Sequence, residues 1–222
     1  GNKAKGVFAT LDVLEESCGE ALLQRCFILL AREDPCYNDY LTCLQGTRWA
    51  SKVIVGLKGA EKQVDFAAEV SPPDGHFVIM DDNITKLRAA NTAAGLGDMD
   101  ELMDMFKTCL ESCTLVGINQ SNRKTNEDKV FQNASPSLIY GALFAVKTAA
   151  HKPTQHGQIK DDIERTVRHI DEGKIVRLMS WQVVKAHSPG KWQGEGTGGI
   201  SGEYSNEAAW NLIGVDPVYP CI

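Results

Sequence analysis

The sequence predicts a single α/β domain whose central, mostly parallel sheet is flanked by helices. Short apolar runs alternate with helical patterns through the first half of the chain, and such alternation is typical of parallel strands joined by helices. The 222 residues suffice for one domain with a full core, and 43% hydrophobic and 23% charged residues are ordinary for a globular protein. We therefore treat residues 1–222 as one domain, with an N-terminal extension at 1–24 and a glycine-rich loop and tail at 190–222.

The first half of the chain begins with two strand-like segments, each followed by a helical one. Apolar runs at 26–31 and 52–57 are bounded by polar or glycine-containing turns, as buried strands are. Segments 37–44 and 60–70 carry apolar residues at helical spacing. The order strand, helix, strand, helix predicts that these strands lie parallel in one sheet with the strand that follows.

That third strand, at 77–80, ends in the most informative run of the chain, Asp81-Asp82-Asn83. Its four apolar residues follow a turn rich in proline and glycine, which predicts a strand buried on both faces. Ligands of open α/β sheets bind beyond the carboxyl ends of strands, and adjacent carboxylate and amide oxygens suit Mg²⁺ or Mn²⁺. The alternative is that the three residues cap a following helix, as Asp and Asn often do.

The second half of the chain mixes one strong helix with further strands. Residues 98–113 form the clearest helical pattern, because an apolar stripe follows acidic residues at its start. Apolar segments at 114–119 and 138–146 predict strands, the latter as a strand pair or a strand that enters a short helix. A last strand or strand pair covers 175–184, and the glycine-rich stretch that follows could fold over a ligand.

A helix that begins near Asp161 supplies the second acidic feature. Ile163, Val167 and Ile170 recur at helical spacing and predict its buried face. Asp161 and Asp162 then lie in the first turn, where acidic side chains commonly do no more than stabilise the helix dipole.

Composition and motifs argue against several classes of protein. The net charge of −6 disfavours a module that binds DNA by electrostatics alone. No Walker loop occurs, and the Gly-x-Gly-x-x-Gly match at 194–199 lies outside any strand–helix–strand unit. No apolar run is long enough for a membrane helix or a signal peptide, and seven cysteines without a Cys-x-x-Cys pair favour a reducing compartment. We expect an intracellular protein of the cytoplasm or nucleus, of cellular or viral origin, with no membrane partner.

Three markers, taken in chain order, resemble those of GT-A glycosyltransferases. They are the run Asp81-Asp82-Asn83, the pair Asp161-Asp162 and the later His187. In that fold an Asp-x-Asp motif holds a divalent ion, an acidic position opens a helix near the acceptor, and a C-terminal histidine completes the metal shell.

A narrower resemblance, covering residues 25–200, is to the TET/JBP-associated glycosyltransferases of phages, fungi and protists. It is carried by segments 77–84 and 159–164 and by Lys191 before Thr197-Gly198-Gly199. Members of that family are thought to glycosylate hydroxymethylated pyrimidines in DNA. The usual Lys-Glu-Asp of the family reads Lys160-Asp161-Asp162 here.

The resemblance implies a metal-dependent enzyme that moves a sugar from a nucleotide-sugar, a UDP-sugar by expectation, to a hydroxyl group. The expected acceptor is 5-hydroxymethylpyrimidine in DNA, with a protein or small-molecule acceptor as the alternative. A carboxylate must take the proton of the attacking hydroxyl, and this candidate base is Asp162, with Asp161 as the alternate. The expected ligands of Mn²⁺ or Mg²⁺ are Asp81, Asp82, Asn83 and His187.

The remaining predicted site residues are expected to contact the donor or the acceptor. Arg32 and Glu33 follow the first strand, where a nucleobase or ribose would bind. Basic and glycine residues of loops are expected to meet the phosphates. The donor set is thus Arg32, Glu33, Lys191, Gly198 and Gly199, and the acceptor set is Tyr140, Gly141 and Arg123.

Two other functions fit the same residues. A nucleotidyltransferase of related fold also uses metal carboxylates after a strand, but it takes nucleoside triphosphates. A non-catalytic nucleotide-binding module would use Asp161 and Asp162 only to cap a helix.

Overall fold

The computed structural model describes residues 2–89, 97–121, 138–153, 161–170 and 175–185, and all structural statements concern these residues. None of the helices in this part of the chain is both long and apolar enough to cross a bilayer. The described helices are α1 (Asn2–Ser17), α2 (Glu20–Leu23), α3 (Tyr37–Leu44), α4 (Ala60–Val70), α5 (Met99–Ser112) and α6 (Asp161–Ile170). The described strands are β1 (Ile28–Ala31), β2 (Val53–Gly56), β3 (His76–Met80), β4 (Ile84–Ala89), β5 (Leu115–Ser121), β6 (Leu143–Lys147) and β7 (Ile175–Lys185).

The described strands form two sheets of a mixed α/β fold. Strands β1 and β2 pair in parallel as a two-stranded sheet, while the other five form a sheet in the order β3-β6-β5-β7-β4. Within the larger sheet only β5 and β7 run parallel. The mixed α/β class is confirmed, but the expectation of one mostly parallel sheet is wrong. Strand β3 pairs with the later β6 instead of joining β1 and β2, so the strand–helix–strand order did not fix its neighbour.

Helices α3, α4 and α5 lie where the sequence predicts them, whereas α1 and α2 occupy the segment treated as an N-terminal extension. Helices α3 and α4 have the expected bounds, and Gly46 adopts a φ of 77°, which glycine tolerates best, just after α3. Helix α5 begins as predicted, since the side chain of Asp98 accepts hydrogen bonds from the backbone N–H groups of Asp100 (2.8 Å) and Glu101 (3.3 Å). The apolar stripe of α5 is fully buried in the main core through Met99, Leu102, Phe106 and Leu110.

The strand that precedes the acidic run is an edge strand. Strand β3 closes one side of the five-stranded sheet, and only Phe77 of its side chains is buried. Val78, Ile79 and Met80 are half-buried, so the prediction of burial on both faces is wrong. The strand after it, β4, begins directly at Ile84, and the alternative that the acidic run caps a helix is therefore wrong as well.

Helix α6 does not bury the predicted face. Ile170 keeps 38% of its surface exposed, and Ile163 and Val167 are only half-buried. The fully buried side chains are polar ones, namely Glu164, Arg165, Thr166 and His169. Three of them have hydrogen-bonding or ionic partners that offset the cost of burial. Thr166 Oγ1 accepts a hydrogen bond from the backbone N–H of Ile139 (3.0 Å), the Thr114 hydroxyl contacts His169 Nδ1 (2.7 Å), and Glu164 pairs with Arg168 (2.8 Å).

Candidate functional site

The turn that carries the acidic run is held from both sides. The backbone N–H of Asp81 donates to the carbonyl of Ala142 (2.9 Å), which ties the end of β3 to the segment before β6. The hydroxyl of Thr10, on α1, donates to the carbonyl of Asp81 (3.0 Å) and accepts from the N–H of Ile84 (2.9 Å). The turn between β3 and β4 therefore has a fixed backbone, which positions the side chains at 81–83.

The variant Thr10→Val is expected to lower the free energy of unfolding by about 1–3 kcal/mol, because it leaves the buried N–H of Ile84 and the Asp81 carbonyl without their partner. Denaturant unfolding measures the loss. Thr42→Val, at an exposed position of α3, is the control and should change stability little. A Thr10→Val protein as stable as the control would show that this hydroxyl does not hold the turn.

The Asp81 carboxylate pairs with a lysine from the last described strand. Lys185 Nζ at the end of β7 donates to Asp81 Oδ2, and the two side chains keep 19% and 36% of their surface exposed. Burial raises the pKa of Asp81, the Lys185 ammonium opposes that rise, and the charge of Asp161 adds to it. Asp81 therefore lies close enough to α6 for the charge of Asp161, in the first turn of that helix, to affect its pKa.

Asp82 and Asn83 point to different surroundings. Asp82 is exposed, and its charge adds to burial in raising the pKa of Tyr40, on α3, to about 12. The side-chain oxygen of Asn83 is buried and accepts no hydrogen bond from the described residues. The acidic run thus has one carboxylate paired with Lys185 on β7, one exposed carboxylate and one buried amide oxygen without a partner among the described residues.

The first turn of α6 contains the second acidic pair. Asp161 Oδ2 lies 3.2 Å from Arg165 Nη1, and Asp162 Oδ1 accepts a hydrogen bond from the N–H of Ile163 (2.8 Å). Burial raises the pKa of Asp162, and the neighbouring charge of Asp161 raises it further, while Arg165 opposes the rise. A half-buried carboxylate with a raised pKa is a stronger base than an ordinary aspartate, as a general base requires.

Arg165 is a buried cation near both acidic segments, and the sequence analysis did not identify it. Its guanidinium stacks on the ring of Phe144, 3.9 Å from the ring centroid, beside Asp161. Burial lowers its pKa, while Asp161, Asp162 and Asp81 all raise it. An arginine has an ordinary pKa far above neutrality, so the side chain remains a cation. All three predicted aspartates therefore act electrostatically on one buried positive charge, and Asp161 is the one that contacts it.

The other predicted site residues divide into three groups. Tyr140 and Gly141 are half-buried and lie beside α6, because the adjacent Ile139 bonds to Thr166. Arg32 and Glu33 form an exposed turn directly after β1, as expected, and no described contact joins them to the aspartates. Arg123, His187, Lys191, Gly198 and Gly199 lie outside the described residues.

The acidic run partly fits a divalent cation. Among the described residues no three His, Cys, Asp or Glu side chains come together as a ready metal site. Asp82 and the unsatisfied oxygen of Asn83 are hard oxygen donors of the kind that Mg²⁺ and Mn²⁺ prefer. Asp81 already has a cation beside it in Lys185. The run therefore supplies hard oxygen donors that suit such an ion, with the carboxylate of Asp82 exposed, the amide oxygen of Asn83 buried and Asp81 already paired with Lys185.

A shallow pocket of about 190 Å³ lies at the other end of β3, away from the aspartates. Its lining includes Asp74, His76, Lys107 and Lys147. None of the predicted site residues contributes to it, and we therefore keep the candidate site at the end of the strand that carries Asp81, Asp82 and Asn83.

No protein-family model, no curated protein and no solved structure matches the chain.

Proposed function

We propose that this chain is a metal-dependent glycosyltransferase of GT-A type, which moves a sugar from a UDP-sugar to a hydroxyl acceptor. One observation carries the proposal: the two acidic segments that the resemblance assigns to metal and acceptor are far apart in sequence but near enough in space that Asp161 raises the pKa of Asp81 and Asp81 raises that of Arg165. Taken alone, each acidic segment could have a purely structural role. Their convergence, beside a helix that buries its polar face, supports a common site.

Cleavage of the donor needs groups that neutralise the negative charge of the departing diphosphate. A bound Mn²⁺ or Mg²⁺ supplies charge neutralisation of this kind, and Asp82 and Asn83 are the described residues that would hold it. Lys185 keeps the neighbouring Asp81 paired, which leaves Asp82 as the main acidic ligand. Arg32 and Glu33 remain the proposed contacts for the nucleoside.

The acceptor half needs a base near the attacking hydroxyl. Asp162 is our choice, because its raised pKa increases its basicity while its half-buried position leaves it reachable. Tyr140, half-buried next to α6, offers an aromatic surface on which an acceptor base could stack.

The pH dependence of transfer tests this choice of base. The base must be ionised, so activity falls as the pH drops through the pKa of Asp162, which is raised by burial and by Asp161. Removing the negative charge in Asp161→Asn should lower that pKa and move the acid limb of kcat/KM to lower pH. Arg165, the charged neighbour that remains in this variant, also lowers the pKa of Asp162. An acid limb that stays in place, as in the exposed control Asp12→Asn, would show that Asp162 does not control the rate.

The donor and acceptor are identified by one screen. Calorimetry with a panel of nucleotide-sugars and Mn²⁺ should show binding of a UDP-sugar, and equal binding of UTP would favour the nucleotidyltransferase alternative. Mass spectrometry of DNA that contains hydroxymethyl-uracil or hydroxymethyl-cytosine should then show added sugar. Sugar added only to nucleosides or to protein would reassign the acceptor, and no binding of any nucleotide would exclude the proposed reaction.

A further inference from the structure

Two cysteines lie side by side at the two ends of the short helix α2. Cys18 directly follows the last residue of α1, and Cys26 lies between the end of α2 and the start of β1. The chain turns back at Cys26, because its N–H donates to the carbonyl of Leu23 (3.2 Å) and its Sγ lies 3.4 Å from the carbonyl oxygen of Leu22. The Cys18 and Cys26 side chains hydrogen bond to each other, and both pack against the same core cluster. The two thiols are therefore direct neighbours.

Both thiols are free, and neither is sealed inside the core. Cys18 and Cys26 are half-buried, whereas Cys113, just after α5, is only 3% exposed. Gly19 and Glu20, which follow Cys18 in the chain, are exposed. Within the part of the chain that the structure describes, a small oxidant can therefore reach the pair from solvent.

A lysine ammonium group is fixed beside Cys26. Lys52 Nζ donates to the carbonyl of Gln24 (3.0 Å) and lies 5.5 Å from the centroid of the Phe27 ring. These two contacts flank Cys26 in the chain and hold the positive charge near its sulfur. A neighbouring cation favours the thiolate form of a cysteine, which is its nucleophilic form.

The two thiols differ in acidity for the same reasons. The hydrogen bond from Cys18 and the charge of Lys52 lower the pKa of the Cys26 thiol, while burial and the charge of Asp100 oppose them. The hydrogen bond to Cys26 raises the pKa of Cys18, and burial raises it further. Cys26 is therefore the member of the pair that ionises first, and Cys18 keeps its proton.

We propose that Cys18 and Cys26 form a reversible disulfide when the chain meets a hydroperoxide, with Cys26 as the attacking sulfur and Cys18 as the resolving one. The Cys26 thiolate attacks one oxygen of hydrogen peroxide, the O–O bond breaks, and the hydroxide that leaves takes up a proton. The sulfur of Cys18 then attacks the sulfenic acid on Cys26. The S–O bond breaks, and the leaving hydroxide takes the Cys18 proton as water. The two thiols together lose two electrons, and the peroxide is reduced to two waters.

Peptide mapping after peroxide treatment tests the pair, because trypsin cleaves between the two cysteines at Arg25. The folded chain is treated with hydrogen peroxide, alkylated in denaturant, digested without reductant and measured by mass spectrometry. Cys18 and Cys26 then lie in separate peptides, residues 6–25 and 26–32, which only a disulfide holds together. We expect this linked pair as the main oxidised product, and dithiothreitol should release it.

The chain contains a matched control pair in Cys109 and Cys113, which lie at the end of α5 and share the tryptic peptide 108–123. Burial raises the pKa of Cys109, and burial with the charge of Cys109 raises that of Cys113 to about 11. We expect the link between 6–25 and 26–32 to form at least roughly tenfold faster than oxidation of this pair, because Cys26 has the larger thiolate fraction. Equal rates, no link, or a link that appears only after unfolding would overturn the proposal.

Single substitutions separate the two roles. In Cys18→Ser, Cys26 should stop at the sulfenic acid, which dimedone traps, whereas in Cys26→Ser the thiol of Cys18 should stay reduced. Lys52→Met should slow formation of the link several-fold, and Lys62→Met, at an exposed position of α4, should leave it unchanged. The melting temperature of each reduced variant shows whether it has folded. Dimedone on Cys18 in Cys26→Ser, or a wild-type rate in folded Lys52→Met, would contradict the assigned roles.

Discussion

Asp162→Asn is expected to slow sugar transfer by roughly 10²-fold or more while the donor still binds, because loss of a general base affects the chemical step. Asn keeps the size of the side chain and can accept the hydrogen bond from the N–H of Ile163, so helix α6 should begin unchanged. Single-turnover transfer and donor calorimetry together measure the two effects. Transfer at the wild-type rate would show that another group takes the proton.

The same substitution is expected to stabilise the fold near neutral pH. The pKa of Asp162 is raised in the folded chain, so the native state binds its proton more tightly than the unfolded state does. Its contribution to the free energy of unfolding therefore falls as the pH rises through the interval between the ordinary and the raised pKa. Asn has no charge to bury, and thermal unfolding at neutral pH should show a higher melting temperature. A lower one would mean that the ionised carboxylate stabilises α6.

Asp82→Ala is expected to abolish metal-dependent binding of a UDP-sugar and to leave the fold intact. Asp82 is exposed, so its loss removes a cation ligand without opening the core. Calorimetry with Mn²⁺ and a UDP-sugar measures the binding, and circular dichroism measures the fold. The control is Asp74→Ala, an exposed aspartate at the opposite end of the same strand, which should bind like the wild type. Equal affinity in the two variants would remove Asp82 from the site.

Local sequence patterns identified most of the elements but not how two of them pack. Helices α3, α4 and α5 follow from spacing and capping, which act within a few residues. The apolar run of β3 predicted a strand but not its place at the sheet edge, because that depends on pairing with β6 much later in the chain. An apolar run reports that a strand forms, and long-range pairing decides which neighbours it has.

The site shows the same division between local and long-range information. Residue types alone singled out Asp81 and Asp162, and in the structure the charges of Asp161 and Arg165 on α6 act on the pKa of Asp81. Arg165 escaped prediction because the spacing of isoleucine and valine in α6 indicated a different buried face. A buried arginine needs Phe144 below it and Asp161 beside it, and Phe144 comes from another part of the chain, so periodicity could not reveal it.

The central claim is that the end of β3 and the start of α6 belong to one site. The most direct test is the broadening of backbone amide signals by Mn²⁺ in nuclear magnetic resonance spectra of the chain with a bound UDP-sugar. The account predicts that residues 81–84 and 161–166 broaden together, while the turn around Asp74 at the far end of β3 does not. Broadening of only one of the two acidic segments, or of neither, would contradict it.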